Sequence, residues 1–266
     1  MCRGRWGATV VCNLKAVLTA FAGGSVFGEI WGDGPPQVIW LHGWGRSSSD
    51  FRAAAMSLAE RGISSVAFDL PGFGASPPPA EPMGARGYAH LVAPVINDIT
   101  DGRPYVVVGH SFGGRIASVL ASSSPGNLRG VIFSGAPLVR RIASPARTPI
   151  AYRVIRHLVR WRILSTSHLE SARRKYGSAD YVAATGVMRD VLVTTVNETY
   201  ENELHNIRVP AIFLWGGRDR DVPVAVAERS AGLMNTPTDI KVEENCGHLL
   251  PQENPTALVD AVVSLL

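Results

Sequence analysis

Few cysteines, no long apolar run and a modest share of charge characterise this sequence. Only Cys2, Cys12 and Cys246 occur among 266 residues. An odd, sparse set without metal-ligand spacing does not support a disulfide framework, so a reducing, cytoplasmic compartment is predicted. No apolar stretch is long enough to span a bilayer. Cys246 lies close to His248 but has no base of its own, and we expect it to be a packed small residue.

The charge is unevenly distributed along the chain. The formal net charge is +4, yet ten basic residues and one acid, Glu170, lie between Arg140 and Lys175. Hydrophobic residues at 46% and charged residues at 18% are ordinary for a globular domain with a sizeable core. A chain of this length suits one large domain, or one domain with an insertion.

The first 13 residues superficially match a secretion signal. Arg3 and Arg5 precede an apolar stretch, but Asn13 and Lys15 interrupt it. Cleavage after that stretch would also remove the first predicted strand. We therefore expect residues 1–13 to form a flexible N-terminal extension, with secretion as the alternative.

The most informative stretch is GHSFGG, residues 109–114. The β-branched run at 105–108 predicts a buried strand before it, and the spacing at 115–121 predicts a helix after it. A G-x-S-x-G between a strand and a helix is a nucleophile elbow. The turn is so sharp that the serine must adopt a strained backbone, and the flanking glycines remove Cβ atoms that would collide there. Ser111 is therefore the predicted nucleophile.

Strands and helices alternate along most of the chain. A hairpin is predicted around residues 23–25, and Pro94 is expected to kink the second helix. Further strands are predicted at 37–41, 65–69, 105–108, 130–134, 211–215 and 239–242, and helices at 50–61, 88–99, 115–121, 223–233 and 255–266. The alternation lapses between Pro137 and Val209. This pattern predicts a mostly parallel sheet flanked by helices, with an insertion.

Four further loops carry recognisable motifs. They are HGWG at 42–45, DLPGFG at 69–74, LWGGRD at 214–219 with Pro223 beyond it, and NCGH at 245–248. Together with the elbow, these motifs resemble the α/β-hydrolase superfamily from Val38 to the end of the chain, with only the insertion poorly matched. The resemblance implies an α/β-hydrolase core of residues 14–136 and 210–266, with a helical cap of residues 137–209.

The resemblance also implies a Ser–Asp–His triad, in the family's chain order. Ser111 is the nucleophile, His248 accepts its proton, and a buried carboxylate holds the imidazole in the correct tautomer. Asp219 is the favoured acid because of its spacing from the strand and from Pro223. Asp221 is its rival, and we expect it instead to cap the following helix. The alternative position after the preceding strand, residues 133–137, contains no carboxylate.

The HGWG motif resembles the loop that supplies half of an oxyanion hole. By this resemblance, the backbone N–H groups of Trp44 and Phe112 stabilise the oxyanion. His42, Gly43, Trp44 and Phe112 are predicted to border the substrate pocket, with His42 bracing the loop. We expect His110 to be structural and Asp69 to tie down its turn.

The clearest element of the insertion is a predicted amphipathic helix at residues 150–164. Arg153, Arg156, His157 and Arg160 share one face, while Trp161 belongs to the apolar face that is expected to cover the pocket. We interpret the basic face as a solvated surface. It could instead bind an anionic part of the substrate, or an anionic membrane as a peripheral contact.

The predicted function is hydrolysis of a carboxylic ester or thioester through an acyl-serine intermediate. No cofactor or metal is required, nucleic acid is not an expected partner, and a monomer or homodimer is expected. One alternative is hydrolysis of a C–C bond in a diketone-like acid. Another is a ligand sensor that keeps the fold. Dehalogenase and epoxide hydrolase activities are disfavoured because those relatives carry Asp at the position of Ser111.

Overall fold

The computed structural model describes most of the chain on either side of a central region. The described residues are 16–123, 126–140, 155, 157–161, 163–165, 167–168, 171 and 179–266. The predicted N-terminal extension, residues 1–13, lies outside them. Arg153 and Arg156 of the predicted cap helix also lie outside them.

The described residues form a single eight-stranded sheet with helices around it. The strands are β1 (Val17–Phe21), β2 (Val26–Trp31), β3 (Val38–Leu41), β4 (Ser65–Asp69), β5 (Tyr105–His110), β6 (Leu128–Ser134), β7 (Ala211–Gly216) and β8 (Thr238–Glu243). The helices are α1 (Arg52–Glu60), α2 (Ala85–Thr100), α3 (Phe112–Ser122), α4 (Ala179–Ala183), α5 (Gly186–Asn197), α6 (Glu201–Asn206), α7 (Val224–Ala231), α8 (Leu250–Glu253) and α9 (Pro255–Val263).

The sheet has the strand order β1-β2-β4-β3-β5-β6-β7-β8. The pairs β1–β2 and β2–β4 are antiparallel, and every other pair is parallel. The predicted mostly parallel sheet flanked by helices is therefore confirmed. The hairpin expected around residues 23–25 is β1–β2.

Both faces of the central strands are buried, which explains their continuous apolar sequences. Along β3, Ile39 and Leu41 join the core under α2 and α3, while Val38 and Trp40 join the core under α1 and α9. Successive side chains of a strand point to opposite faces, so one apolar run supplies both cores.

The parallel strands bring six loops to one edge of the sheet. The loops that follow β3, β4, β5, β6, β7 and β8 all leave from the carboxyl ends of neighbouring strands. Strand β3 is followed along the chain by β4 on one side of it and then by β5 on its other side. The order of the strands therefore reverses at β3, which makes this position a topological switch point. Ligand sites of open α/β sheets lie at such points. The loop after β3 carries HGWG, and the loop after β5 carries Ser111.

Helix α2 differs from its prediction at both ends and at the proline. It begins at Ala85, three residues earlier than predicted, and continues through Pro94 to Thr100. Pro94 lies on the exposed side of the helix, so its ring does not disturb the packed face. A residue of the insertion supplies a hydrogen-bond acceptor at the N-terminus of α2. Glu198 accepts a hydrogen bond from the Ala85 N–H at 2.8 Å.

Within the insertion, residues 179–206 contain the helices α4, α5 and α6, and α5 packs on the core. Met188 of α5 lies so close to Gly72 of the DLPGFG loop that a Cβ at Gly72 would overlap its sulfur. Trp161, predicted to cover the pocket, is instead 75% exposed, because it follows the last helical residue, Arg160, and projects into solvent. The division into a core and a cap at residues 137 and 209 stays a prediction. Within the described part of the chain, no helix has the length and apolarity needed to cross a bilayer.

Leu58 offers a direct test of the core beneath α1. Its side chain is fully buried, so Leu58→Ala should lower the free energy of unfolding by about 2–5 kcal/mol through lost burial and a residual cavity. Met56, on the same helix, is 37% exposed, and Met56→Ala should change the unfolding free energy by less than about 0.5 kcal/mol. Urea unfolding of both variants measures the difference, and equal effects would contradict this packing.

Candidate active site

The backbone at Ser111 has the strain expected of a nucleophile elbow. Its φ is 50° and its ψ is −109°, a conformation that L-residues rarely adopt. The Ser111 N–H donates a hydrogen bond to the carbonyl oxygen of Ser134 at 2.8 Å, which ties the turn to β6. A Cβ on Gly113 would collide with the carbonyl oxygen of Leu41, so glycine is required at this position.

His248 links Ser111 to Asp219. The Nδ1 atom of His248 lies 2.7 Å from Oδ2 of Asp219, and its Nε2 lies 3.1 Å from Oγ of Ser111. A carboxylate can only accept, so Nδ1 carries the proton and Nε2 presents its lone pair to the serine hydroxyl. These three residues, which are far apart in sequence, therefore have the connectivity of a nucleophile, a base and an orienting acid.

Asp219 is buried, and both of its carboxylate oxygens accept hydrogen bonds. Its side chain is 1% exposed, and its Oδ1 accepts hydrogen bonds from the N–H groups of Asp221 and Val222 at 2.9 and 2.8 Å. Two backbone donors and one imidazole N–H compensate the burial of its charge. The carboxylate consequently has one orientation.

The loops after β7 and β8 are clamped together, and this clamp brings Asp219 to His248. Gly217 N–H donates to Glu243, and Arg218 N–H donates to Cys246, both at 2.9 Å. The side chain of Arg218 also donates to Asn245 Oδ1 at 2.7 Å. Cys246 itself is buried in the core, as expected of a packed small residue, and burial raises the pKa of its thiol.

Gly135 is a functional residue that sequence reasoning missed. It follows β6 with a φ of +54°, and a Cβ there would lie 3.1 Å from the His248 ring and 3.3 Å from Asp219 Oδ2. Glycine therefore leaves room for the His–Asp pair. The sequence showed only that this loop has no carboxylate.

The three histidines around the site have different protonation behaviour. Burial alone lowers the pKa of His248, but the hydrogen bond and charge of Asp219 outweigh it, so the pKa is raised above the usual 6.5. Burial lowers the pKa of His110 to about 3, with the nearby His248 adding to the effect. Burial also lowers the pKa of His42. His110 and His42 are therefore neutral near pH 7, whereas His248 can take up a proton.

His42 and His110 use their ring nitrogens to hold backbone. The Nδ1–H of His42 donates to Gly43 at 2.7 Å, while its Nε2 accepts from the Leu70 N–H at 3.0 Å. The Nδ1–H of His110 donates to the carbonyl of Ser134 at 3.1 Å. Asp69 likewise accepts from the N–H groups of Ser48 and Ala75, at 2.7 and 2.8 Å. All three side chains brace loops, as predicted.

Two backbone N–H groups beside Ser111 are available to a ligand. The carbonyl of His42 accepts from the Gly113 N–H at 3.0 Å, which holds the HGWG loop against the start of α3. The N–H groups of Trp44 and Phe112 flank this contact. Neither donates a hydrogen bond to another group in the described part of the chain.

Ser111 opens into a cavity of about 510 Å³, within the usual range for small-molecule sites. Its lining is mixed in polarity, with contributions from the loops and from α4. The lining residues are Gly43, Trp44, Arg46, His110, Ser111, Ala179, Asp180, Arg220, Asp221, Val222, His248 and Leu249.

The comparisons with known proteins agree with this architecture. Residues 38–261 match the model of the "Alpha/beta hydrolase family". The chain belongs to the α/β-hydrolase family.

Curated α/β-hydrolase relatives cover nearly the whole chain. The "Putative hydrolase LipZ" of Mycobacterium tuberculosis is 27% identical over 99% of this chain and 95% of its own length. "Lipase LipV" of the same organism is 26% identical over 88% of this chain and 94% of its own length. The "Pimeloyl-[acyl-carrier protein] methyl ester esterase" of Salmonella newport is 24% identical over 90% of this chain and 97% of its own length.

Solved structures share the fold at low identity. The bromoperoxidase of Bacillus anthracis has a TM-score of 0.69 and 18% identity, and covers 94% of this chain and 99% of its own. A bacterial membrane phospholipase A has a TM-score of 0.68 and 22% identity, and covers 95% of this chain and 85% of its own. At these identities the likeness concerns the fold alone.

Two predicted pocket residues of this α/β hydrolase do not lie at the cavity wall. Gly43 and Trp44 line the cavity as predicted, but His42 is fully buried and Phe112 is only 3% exposed. The imidazole of His42 is directed to backbone, and the ring of Phe112 packs at 5.1 Å against that of Tyr88. The described cavity lining therefore lacks these two residues, and their place in the substrate pocket stays a prediction.

Asp221 also differs from its prediction. Helix α7 begins at Val224 with Pro223 at its N-cap, and no side chain caps it. A capping oxygen belongs to the N-cap residue itself, and Asp221 lies two positions earlier. Instead, Asp221 is exposed and lines the cavity.

The pair of Asp219 and His248 is the part of the site that most resembles a set of metal ligands. Together with Asp221 it offers three polar atoms within 4.8 Å of one another. However, both carboxylate oxygens of Asp219 and both ring nitrogens of His248 already make hydrogen bonds within the chain. These bonds account for the clustering without an ion.

Gly113→Ala tests the requirement for glycine at the elbow. The added Cβ would overlap the carbonyl of Leu41, so we expect a loss of about 3 kcal/mol or more in unfolding free energy, or a loss of soluble protein. Gly126→Ala is the control, because a Cβ at Gly126 meets nothing within 4 Å. Urea unfolding and soluble yield measure both variants. Wild-type stability of Gly113→Ala would refute the predicted backbone clash.

Proposed function

We propose that this protein is a serine hydrolase that cleaves carboxylic esters or thioesters of small to medium substrates through an acyl-Ser111 intermediate. The observation that carries the proposal is the relay from Ser111 Oγ through the imidazole of His248 to the buried Asp219, with distances of 3.1 and 2.7 Å. Both distances lie within hydrogen-bond reach, which is the first requirement of a nucleophile and its base.

The first half-reaction forms the acyl-enzyme. Ser111 Oγ attacks the carbonyl carbon while Nε2 of His248 takes the hydroxyl proton, and Asp219 stabilises the resulting imidazolium. The carbonyl oxygen becomes an oxyanion that the N–H groups of Trp44 and Phe112 can hold. Each such donor typically contributes about 3 kcal/mol to transition-state stabilisation. Collapse of the intermediate breaks the ester C–O or thioester C–S bond, and His248 returns the proton to the leaving group.

The second half-reaction releases the acid. A water molecule loses a proton to Nε2 of His248 and attacks the acyl carbon from the position that the leaving group has vacated. The same two N–H groups would hold the second oxyanion. Collapse restores the Ser111 hydroxyl with the proton from His248, so the cycle requires no cofactor.

The choice of esters is supported by the relatives and by the size of the cavity. The names of LipV and of the Salmonella esterase describe ester cleavage. A cavity of about 510 Å³ suits a small to medium substrate. The cytoplasmic location and peripheral membrane contact through the basic segment remain predictions.

Ser111→Ala is the first test of this function. Hydrolysis of p-nitrophenyl esters from acetate to palmitate should fall by roughly 10³-fold or more, because the nucleophile is lost. Ser122→Ala is the control, since Ser122 lies on the same helix and its hydroxyl only donates to the carbonyl of Val119. Intact-mass analysis during turnover should show an acyl adduct on wild type and none on Ser111→Ala.

The same series separates the competing functions. Turnover that persists in Ser111→Ala would contradict the proposed mechanism. Failure to hydrolyse any ester or thioester would contradict the proposed substrate class and would favour C–C bond hydrolysis or ligand sensing. A maximum at long chains would indicate lipid substrates rather than the small to medium ones proposed.

The rate should depend on pH through His248. Its neutral form is the base, and the raised pKa means that this form becomes predominant at a higher pH than for an ordinary imidazole. We therefore expect kcat/KM to rise with pH through an apparent pKa above 6.5 and to fall about tenfold per pH unit well below it. A pH profile with a stable ester checks this, and an acidic limb centred below pH 6 would contradict it.

A further inference from the structure

Asp221 places a second carboxylate beside the imidazole of His248. One polar atom each from Asp219, Asp221 and His248 lies within 4.8 Å of the other two. The two carboxylates share one tight turn, because the N–H of Asp221 donates to Oδ1 of Asp219 at 2.9 Å. Asp219 is buried and hydrogen-bonded, whereas Asp221 is exposed at the cavity.

A purely structural role does not explain this side chain. Asp221 does not cap α7, whose N-cap is Pro223. Its carboxylate makes no hydrogen bond or ion pair with another described residue. Its backbone N–H is the part that supports the turn, and any residue except proline would provide it. The carboxylate is therefore available to act on the imidazole.

We propose that Asp221 is a positioning residue of the site, whose carboxylate stabilises the positively charged form of His248 through space. This inference rests on the proposed function, in which the imidazole becomes charged at each proton transfer. The two acids then have different roles. Asp219 fixes the ring and its tautomer through a hydrogen bond, while Asp221 adds negative charge from the solvent side.

The other ionisable groups around the imidazole do not cancel this charge. Arg46, on the loop after β3, is neutralised by two hydrogen bonds to Asp50 at 2.8 and 2.7 Å. His110, at the end of β5, is uncharged near pH 7 because burial lowers its pKa to about 3. Arg220 lines the same cavity with an exposed side chain from the turn that carries Asp221, and the surrounding groups together still raise the pKa of His248.

The charges around His248 shift its pKa in the direction expected from their positions. Burial lowers the pKa of His248, and the hydrogen bond and charge of Asp219 raise it most. The charge of Asp221 raises the pKa further, followed by that of Asp180 on α4. A charge about 5 Å away and in contact with water changes an imidazole pKa by roughly 0.5–1 unit.

The test is an NMR titration of the His248 ring protons in wild type and in Asp221→Asn. At low ionic strength we expect the pKa of His248 to fall by about 0.5–1 unit in the variant. The difference should shrink at about 1 M salt, because exposed charges are then screened over roughly 3 Å. Asp221→Glu should keep most of the wild-type pKa, because it retains the charge.

Asp98→Asn is the matched control. It removes one exposed carboxylate near the end of α2, and this helix runs away from the edge that carries Ser111. Its His248 titration should match wild type. Asp180→Asn should lower the pKa in the same direction as Asp221→Asn, but by less.

The pH profile of ester hydrolysis gives the functional readout. The acidic limb of kcat/KM should move to lower pH in Asp221→Asn by the same amount as the NMR pKa. An unchanged His248 pKa in folded Asp221→Asn would overturn the inference, whatever the protein hydrolyses. Because the titration needs no substrate, a shifted pKa without esterase activity would contradict only the proposed function.

Discussion

The strained backbone at Ser111 is the constraint on which the rest of the site depends. A φ of 50° in a non-glycine residue is unfavourable, and it persists because the surroundings leave no alternative. Ser134 accepts from the serine N–H, and the Gly113 N–H donates to His42. The hydrogen bond from Gly113 to His42 also holds the HGWG loop beside the elbow. The geometry of the turn at Ser111 and the positions of the backbone N–H groups of Trp44 and Phe112 therefore depend on each other.

The site also depends on how unequally its charges are exposed to water. Asp219 is buried, and its two carboxylate oxygens accept hydrogen bonds from two backbone N–H groups and one imidazole N–H, whereas Asp221, two residues later, lies at the cavity. Burial makes an interaction strong and directional, while exposure leaves a weaker, screenable field. One short turn thus supplies two carboxylates with different physical effects on the same imidazole.

Much of the fold followed from local pattern. Short apolar runs predicted the buried strands, and the predicted β4 coincides with Ser65–Asp69. Helix ends were predicted less accurately, since α2 begins three residues early because Glu198, distant in sequence, satisfies its first N–H. Trp161 shows a similar limit, because periodicity assigns a residue to a face but does not show what that face contacts.

The sequence by itself determined the elbow, the order of the motifs along the chain and the candidate residues Ser111, Asp219 and His248, because glycine spacing and residue chemistry are local properties. Tertiary structure alone decided which side chains reach the cavity. His42 and Phe112 turn inward to backbone and core, Asp221 turns outward, and Gly135 makes room for the His–Asp pair. These outcomes depend on the packing of six loops at one sheet edge, and no single segment encodes that packing.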